Sequence, residues 1–191
     1  MPGSDDVRPA GVKLTYDDFV LFPDDGKRHE LIDGEHYVTP TPILRHQVIV
    51  GRLHLAIGNY LAATPIGQII LSPMDVIISH FDVVEPDLLY VSNERAPAML
   101  RKWVHGAPDL VVEVASDSTR KRDETIKRGL YERAGVIEYW IVDPRIDVVR
   151  IYRRRDDRFE RPVELSREAG DVLTTSLLPG LELPLMGIFR D

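Results

Sequence analysis

The run Asp109 to Ser116, DLVVEVAS, constrains this chain more than any other stretch. A nearly uninterrupted valine-rich run is a strand covered on both faces, because a half-exposed strand would alternate apolar with polar residues. After it, Ile126, Leu130 and Ala134 recur four apart on a helix from about Thr119 to Ala134, Gly135 closes the pattern, and EYWIVDP follows. Strand, helix and strand in about thirty residues make a βαβ crossover with parallel strands. VVRIY, across Pro144 to Asp147, then returns as an antiparallel partner of EYWIV, so the sheet is mixed.

The rest of the chain reads as elements that flank such a sheet. Thr15 is the N-cap of a short helix, TYDDFVLF, that Pro23 ends. RHELIDGEHYV gives two short strands joined at Asp33-Gly34, a pair that tolerates the positive φ of a tight hairpin. Between Ile43 and Ala62, Val50, Leu53, Ile57 and Leu61 line one helical face. Gly67 to Val91 switches to a period of two and reads as three strands, QIILS, MDVIIS and VVEPDLLYV. A loop with a short helix around Met99 follows, and short β pieces close the C-terminus. The expected fold is α/β: a mixed sheet flanked by helices, with an N-terminal hairpin and a C-terminal β extension. A length of 191 residues suits one domain with one core. We expect residues 1–13 to form a flexible tail.

Composition narrows the function. No stretch approaches the roughly 18 apolar residues of a membrane span, and MPGSDDVRPAG lacks the basic and apolar regions of a secretory signal, so the expected location is the cytoplasm, with no membrane partner. The chain has no cysteine, which removes disulfides, thiolate catalysis and cysteine-ligated zinc. Any metal must therefore be held by Asp, Glu, His or carbonyl oxygen. A net charge of -7 argues against coating nucleic acid by bulk electrostatics. Arg120 to Arg158 nevertheless holds twelve bases against eight acids, enough for a local basic face.

Three residues carry candidate chemistry. Strand alternation puts Val111, Glu113 and Ala115 on one face of DLVVEVAS and Leu110, Val112 and Val114 on the other. Glu113 thus points into an apolar layer, where an ionised carboxylate costs several kcal/mol unless a cation or donor compensates it. A structural salt bridge to an arginine would do so, and so would a shared metal ion. Asp87, after Pro86 in VVEPDLLYV, can converge with Glu113 if the two strands are neighbours; a turn-forming role after proline is the competing reading. Two such carboxylates repel unless one is protonated or a divalent ion sits between them, and hard oxygen ligands suit magnesium or manganese. Lys127 shares a helical face with Tyr131, next to the Ile126 stripe and at the boundary of core and solvent. There it can reach a phosphate or a bound water, or simply pair with Asp123.

Taken together, ELIDGE, His46 after the proline-rich turn, EPDLLYV, PDLVVEVAS, Lys127 with Tyr131, and GVIEYWIVDP resemble the Uma-type restriction-endonuclease family of the PD-(D/E)XK nuclease superfamily. The likeness runs from about Tyr16 to Tyr152. It implies a restriction-endonuclease-like core and a magnesium- or manganese-dependent phosphodiesterase acting on nucleic acid, DNA before RNA, in a homodimer. By that resemblance Asp87 and Glu113 are the two motif acids, Glu30 an additional acid next to the metal, Lys127 the catalytic lysine, and His46 and Tyr131 accessory residues. Ala115 stands where the superfamily motif has lysine, and the resemblance implies that Lys127 on the following helix replaces it. The rival expectation is a catalytically silent homologue that binds nucleic acid or protein, paired as a dimer through EYWIVDP and VVRIY.

Overall fold

The computed structural model describes residues 12–190. Residues 1–11 of the expected tail lie outside that range. Lys13, at its end, is held by an ion pair to Asp33 on the N-terminal hairpin. Thr15 caps α1 (Tyr16–Phe19) with a reciprocal capping box to Asp18. β1 (Arg28–Ile32) and β2 (Glu35–Thr39) form the hairpin, turning at Asp33 and Gly34, whose φ angles of 51 and 77° are left-handed. A Cβ on Gly34 would also collide with Lys13, so only glycine fits there.

The helix α2 (Leu44–Ala63) has Ile43 as N-cap and no capping side chain, a loss of about 1 kcal/mol. Burial of Val50, Leu53, Ile57 and Leu61, at roughly 1.5–3 kcal/mol each, more than offsets it. Next come β3 (Gly67–Leu71), β4 (Val76–Ser79), β5 (Asp82–Val84), β6 (Leu88–Ser92), α3 (Ala96–Met99), β7 (Val104–His105) and β8 (Leu110–Val114). A helical passage follows: α4 (Arg120–Arg122), a π-turn at Asp123–Lys127, and α5 (Arg128–Ala134), closed by Gly135 in the left-handed conformation. β9 (Glu138–Asp143), β10 (Val148–Arg155), β11 (Arg158–Phe159), β12 (Val163–Ser166), β13 (Val172–Leu173), β14 (Leu183–Pro184) and α6 (Leu185–Ile188) complete the chain.

The larger sheet runs β11-β10-β9-β8-β6-β3, with β12 also on β10. Its β8 and β9 are parallel across the helical passage, and its other pairs are antiparallel. A second sheet, β2-β1-β5-β4-β7, packs beside it. On one side of β8, Leu110, Val112 and Val114 join Leu53, Ile57 and Trp140; on the other, Val111 and Ala115 join Leu130, Tyr131 and Tyr139. The face assignment read from alternation therefore holds. Among the described residues no helix is long and apolar enough to cross a membrane.

Four expectations need correction. VVEPDLLYV is two strands in two sheets: β5 pairs with β1 and β4, β6 with β3 and β8. Pro86 has no N–H for a ladder, and the Glu85 amide donates instead to Glu30 Oε1. The short strand β7, parallel to β4, forms where a loop is expected. The helix before Gly135 is not regular. Its π-turn adds a residue to one turn, which carries Ile126 out to solvent, 39% exposed, and turns Lys127 inward, 3% exposed. Finally, β9 is interior to the sheet and β10 already pairs with β9, β11 and β12, so EYWIVDP and VVRIY offer no free edge for a dimer.

Candidate active site

Six elements, β1, β2, α2, β8, α4 and the π-turn, bring polar residues to one cavity of about 400 Å³, bounded by Thr41, Arg45, Ser116, Arg120 and Arg145. Leu88 opposes Val112 in the β6–β8 ladder, so Asp87, one residue before β6, comes level with Glu113. Asp87 Oδ2 accepts hydrogen bonds from the Val114 amide at 2.8 Å and from His46 Nε2, on α2, at 3.1 Å. Its Oδ1 accepts from Arg28 Nη1 of β1 at 2.8 Å. Glu113 Oε1 accepts from Lys127 Nζ at 2.9 Å and from the Tyr131 hydroxyl at 2.8 Å. Lys127 Nζ also lies 2.7 Å from Glu30 Oε1, while Arg122 stands 3.6 Å from Glu30 Oε2. The structure thus brings Glu30, His46, Asp87, Glu113, Lys127 and Tyr131 into one cluster.

The electrostatics split the acids into two kinds. Burial pushes Asp87 up, but the hydrogen bond and charge of His46 and the Arg28 guanidinium outweigh it and hold the carboxyl below its ordinary range. Glu30 is likewise lowered, because Lys127 and Arg122 overcome its burial. Glu113 goes the other way, to about 8: burial dominates, Lys127 relieves it only in part, and Asp123, Asp87 and Glu30 repel it. Asp123 is pushed up to about 6 by burial. Burial alone would lower Lys127, yet the carboxylates of Glu113, Glu30 and Asp123 raise it, so the ammonium stays charged. One ammonium shared among three buried carboxyls leaves negative charge uncompensated, and that deficit falls on Glu113 and Asp123.

Such a set suits a hard divalent cation. The donors are carboxylates, Glu113 lacks a full counter-charge, and Asp123 Oδ1, buried among them, has no hydrogen-bond partner. Among the described residues no three acidic or imidazole groups already converge in coordinating arrangement. Lys127 stands between Glu30 and Glu113, so a cation would share Glu113 with that ammonium.

A family model described as "Putative restriction endonuclease" and named Uma2 matches residues 16–186. The chain belongs to the Uma2 family. A search of the curated proteins finds no match. Among solved structures, the crystal structure of a "putative nuclease belonging to DUF820" from Anabaena variabilis ATCC 29413 is similar at a TM-score of 0.78 and 20% identity, over 92% of this chain and 97% of that one. At that identity the likeness establishes a shared fold, in keeping with the mixed α/β architecture expected from the sequence.

Arg28 and Arg122 are absent from the candidate residues read from the sequence, and Asp123 enters there only as a partner for Lys127. Arg28 lies two residues before Glu30 on β1, so alternation places both on one face. That signal was present. Arg122 and Asp123 turn inward with the π-turn, which has no sequence signature.

Proposed function

We propose that this Uma2 protein hydrolyses phosphodiester bonds in nucleic acid, DNA foremost, with magnesium or manganese held by Asp87 and Glu113 and with Glu30 or Asp123 as a further acid. The reading rests on one observation above all: a buried lysine shared by two buried glutamates, beside a buried aspartate, at the floor of a cavity rimmed by arginines. When bound, the cation supplies positive charge against the phosphate and lowers the pKa of water. The chain's own residues do the rest. Arg28 and His46 keep Asp87 ionised and fixed in direction. Tyr131, pushed far above its ordinary value by burial, keeps its proton and donates it in a hydrogen bond to Glu113. Lys127 presents a compact positive charge that stabilises the negative charge growing on the phosphate in the transition state.

The test is cleavage of single- and double-stranded DNA and RNA by purified protein with magnesium or manganese against EDTA. Wild type should cut, and Asp87→Asn and Lys127→Met should not. The second reading, a catalytically silent binding module, is favoured by the fact that Asp87, Glu30 and Glu113 each already have a cation partner within the chain. No cleavage of any substrate with either metal, together with no metal-dependent rise in Tm, would establish it instead.

A further inference from the structure

Resting on the phosphodiesterase reading, we infer that nucleic acid reaches this site as an unpaired strand, and that Arg145 holds its backbone at the rim. The first observation is depth. Asp87, Glu113 and Lys127 are 2, 4 and 3% exposed, so the bond to be cut must enter the cavity rather than lie across its mouth. A cavity of about 400 Å³ takes one ligand of modest size. Duplex DNA is a rod with a persistence length of about 50 nm, and bringing one of its phosphates into so enclosed a cavity takes bending or local opening of the helix. An unpaired strand needs neither.

The second observation is a continuous track. The cavity shares Arg45, Pro144 and Arg145 with a neighbouring depression that reaches Arg167 and Met186. On its other side it shares Arg28, Thr39 and Pro42 with a third, which reaches Lys27 and Gln47. A flexible backbone can follow this line through the site.

The third observation singles out one residue. The other cations along the track are pinned: Arg28 by Asp87, Arg45 and Arg167 by Asp147, Arg120 by Asp143, Lys27 by Asp25, and Arg122 and Lys127 by Glu30. The Arg145 guanidinium is exposed and has no partner among the described residues, while its backbone amide is anchored on Asp143 Oδ1 at 3.0 Å. A fixed turn thus carries a cation open to an incoming phosphate. The Ser116 and Ser118 hydroxyls, 3.0 Å apart, line the same cavity and add neutral donors.

With so few open cations the salt dependence should be shallow: log K falls with log salt by about 0.7 per phosphate contact on a single strand. The experiment is fluorescence anisotropy of the full chain, in calcium, with a labelled single-stranded oligonucleotide and with a hairpin duplex of the same sequence, followed by cleavage of both in manganese. The single strand should bind and be cut at least tenfold better. Arg145→Ala should weaken single-strand binding several-fold and reduce the salt slope by about 0.7, with Tm unchanged, and Arg145→Lys should recover most of the slope. Equal or tighter binding of the duplex, equal cleavage of both, or an unaltered slope in Arg145→Ala would overturn the inference. Equal cleavage would leave the phosphodiesterase reading intact. Single-strand preference without cleavage in manganese would sustain the strand path and count against that reading.

Discussion

On one face of β8, Leu110, Val112 and Val114 pack among Leu53, Ile57 and Trp140. On the other, between Val111 and Ala115, Glu113 meets Lys127 and Tyr131. Both faces are equally dry, yet burial acts on them with opposite sign. Each apolar side chain taken from water contributes roughly 1.5–3 kcal/mol, whereas a charge taken from water costs several kcal/mol and recovers it only through its partners. The apolar face therefore has to hold the strand in place while the other face keeps charges that a stability-driven design would discard.

The sharpest break of this contrast is Lys127→Met. It strips the cation from Glu30 and Glu113 together, and removing one partner of a buried pair costs about 3–5 kcal/mol. At roughly 2–4 °C per kcal/mol for a chain of this size, calorimetry should show Tm lowered by about 6–20 °C. An unchanged Tm would mean that water reaches the cluster and screens its charges. Leu110→Ala on the opposite face should cost a similar or slightly smaller amount, about 2–5 kcal/mol. Unlike the lysine variant, it should retain metal-dependent cleavage when assayed well below its own Tm. Tyr131→Phe comes next: Glu113 loses one of two donors while shape is kept, a loss of about 1–3 kcal/mol, measurable by urea unfolding.

The pH response is the most diagnostic. The folded protein keeps a proton on Glu113 up to about pH 8, where the unfolded chain releases it near the ordinary value of 4.5. Stability should then fall as pH rises through that window, and Glu85 and Asp123, raised to about 7 and about 6, add to the fall. Glu113→Gln should flatten this slope and leave Tm at pH 8 equal to wild type or higher. Manganese should raise the wild-type Tm more at pH 8 than at pH 6, because the ion competes with that proton. A lower Tm for Glu113→Gln at pH 8 would show that the ionised glutamate is a net stabiliser after all.

How far the sequence could be read depended on whether a residue's direction follows from a local period. The faces of β8, the buried stripe of α2 and the Asp33-Gly34 turn follow from alternation, helical spacing and turn chemistry, and each is found as expected. The convergence of Glu30, Asp87, Glu113 and Lys127 was expected from motif resemblance joined to that same alternation. What escaped was set by tertiary structure. The change of sheet at Glu85-Pro86-Asp87 is stabilised by Glu30, fifty-five positions away, donating nothing and accepting the Glu85 amide. The inward swing of Lys127 depends on a π-turn whose residues, Asp-Glu-Thr-Ile-Lys, would form an ordinary helix elsewhere.

That turn also lets the site tolerate a change of length. With one residue removed between Asp123 and Lys127, the passage would return to ordinary helical pitch, and because the wide turn holds its extra residue within a single rotation, the residues on either side would keep nearly the same directions. Arg122 would then stay at the cavity, with Lys127 and Tyr131 in register with the rest of α5. In comparing relatives of this chain, a segment from Ser116 to Gly135 that is one residue shorter would thus mark the loss of the wide turn rather than the loss of the site.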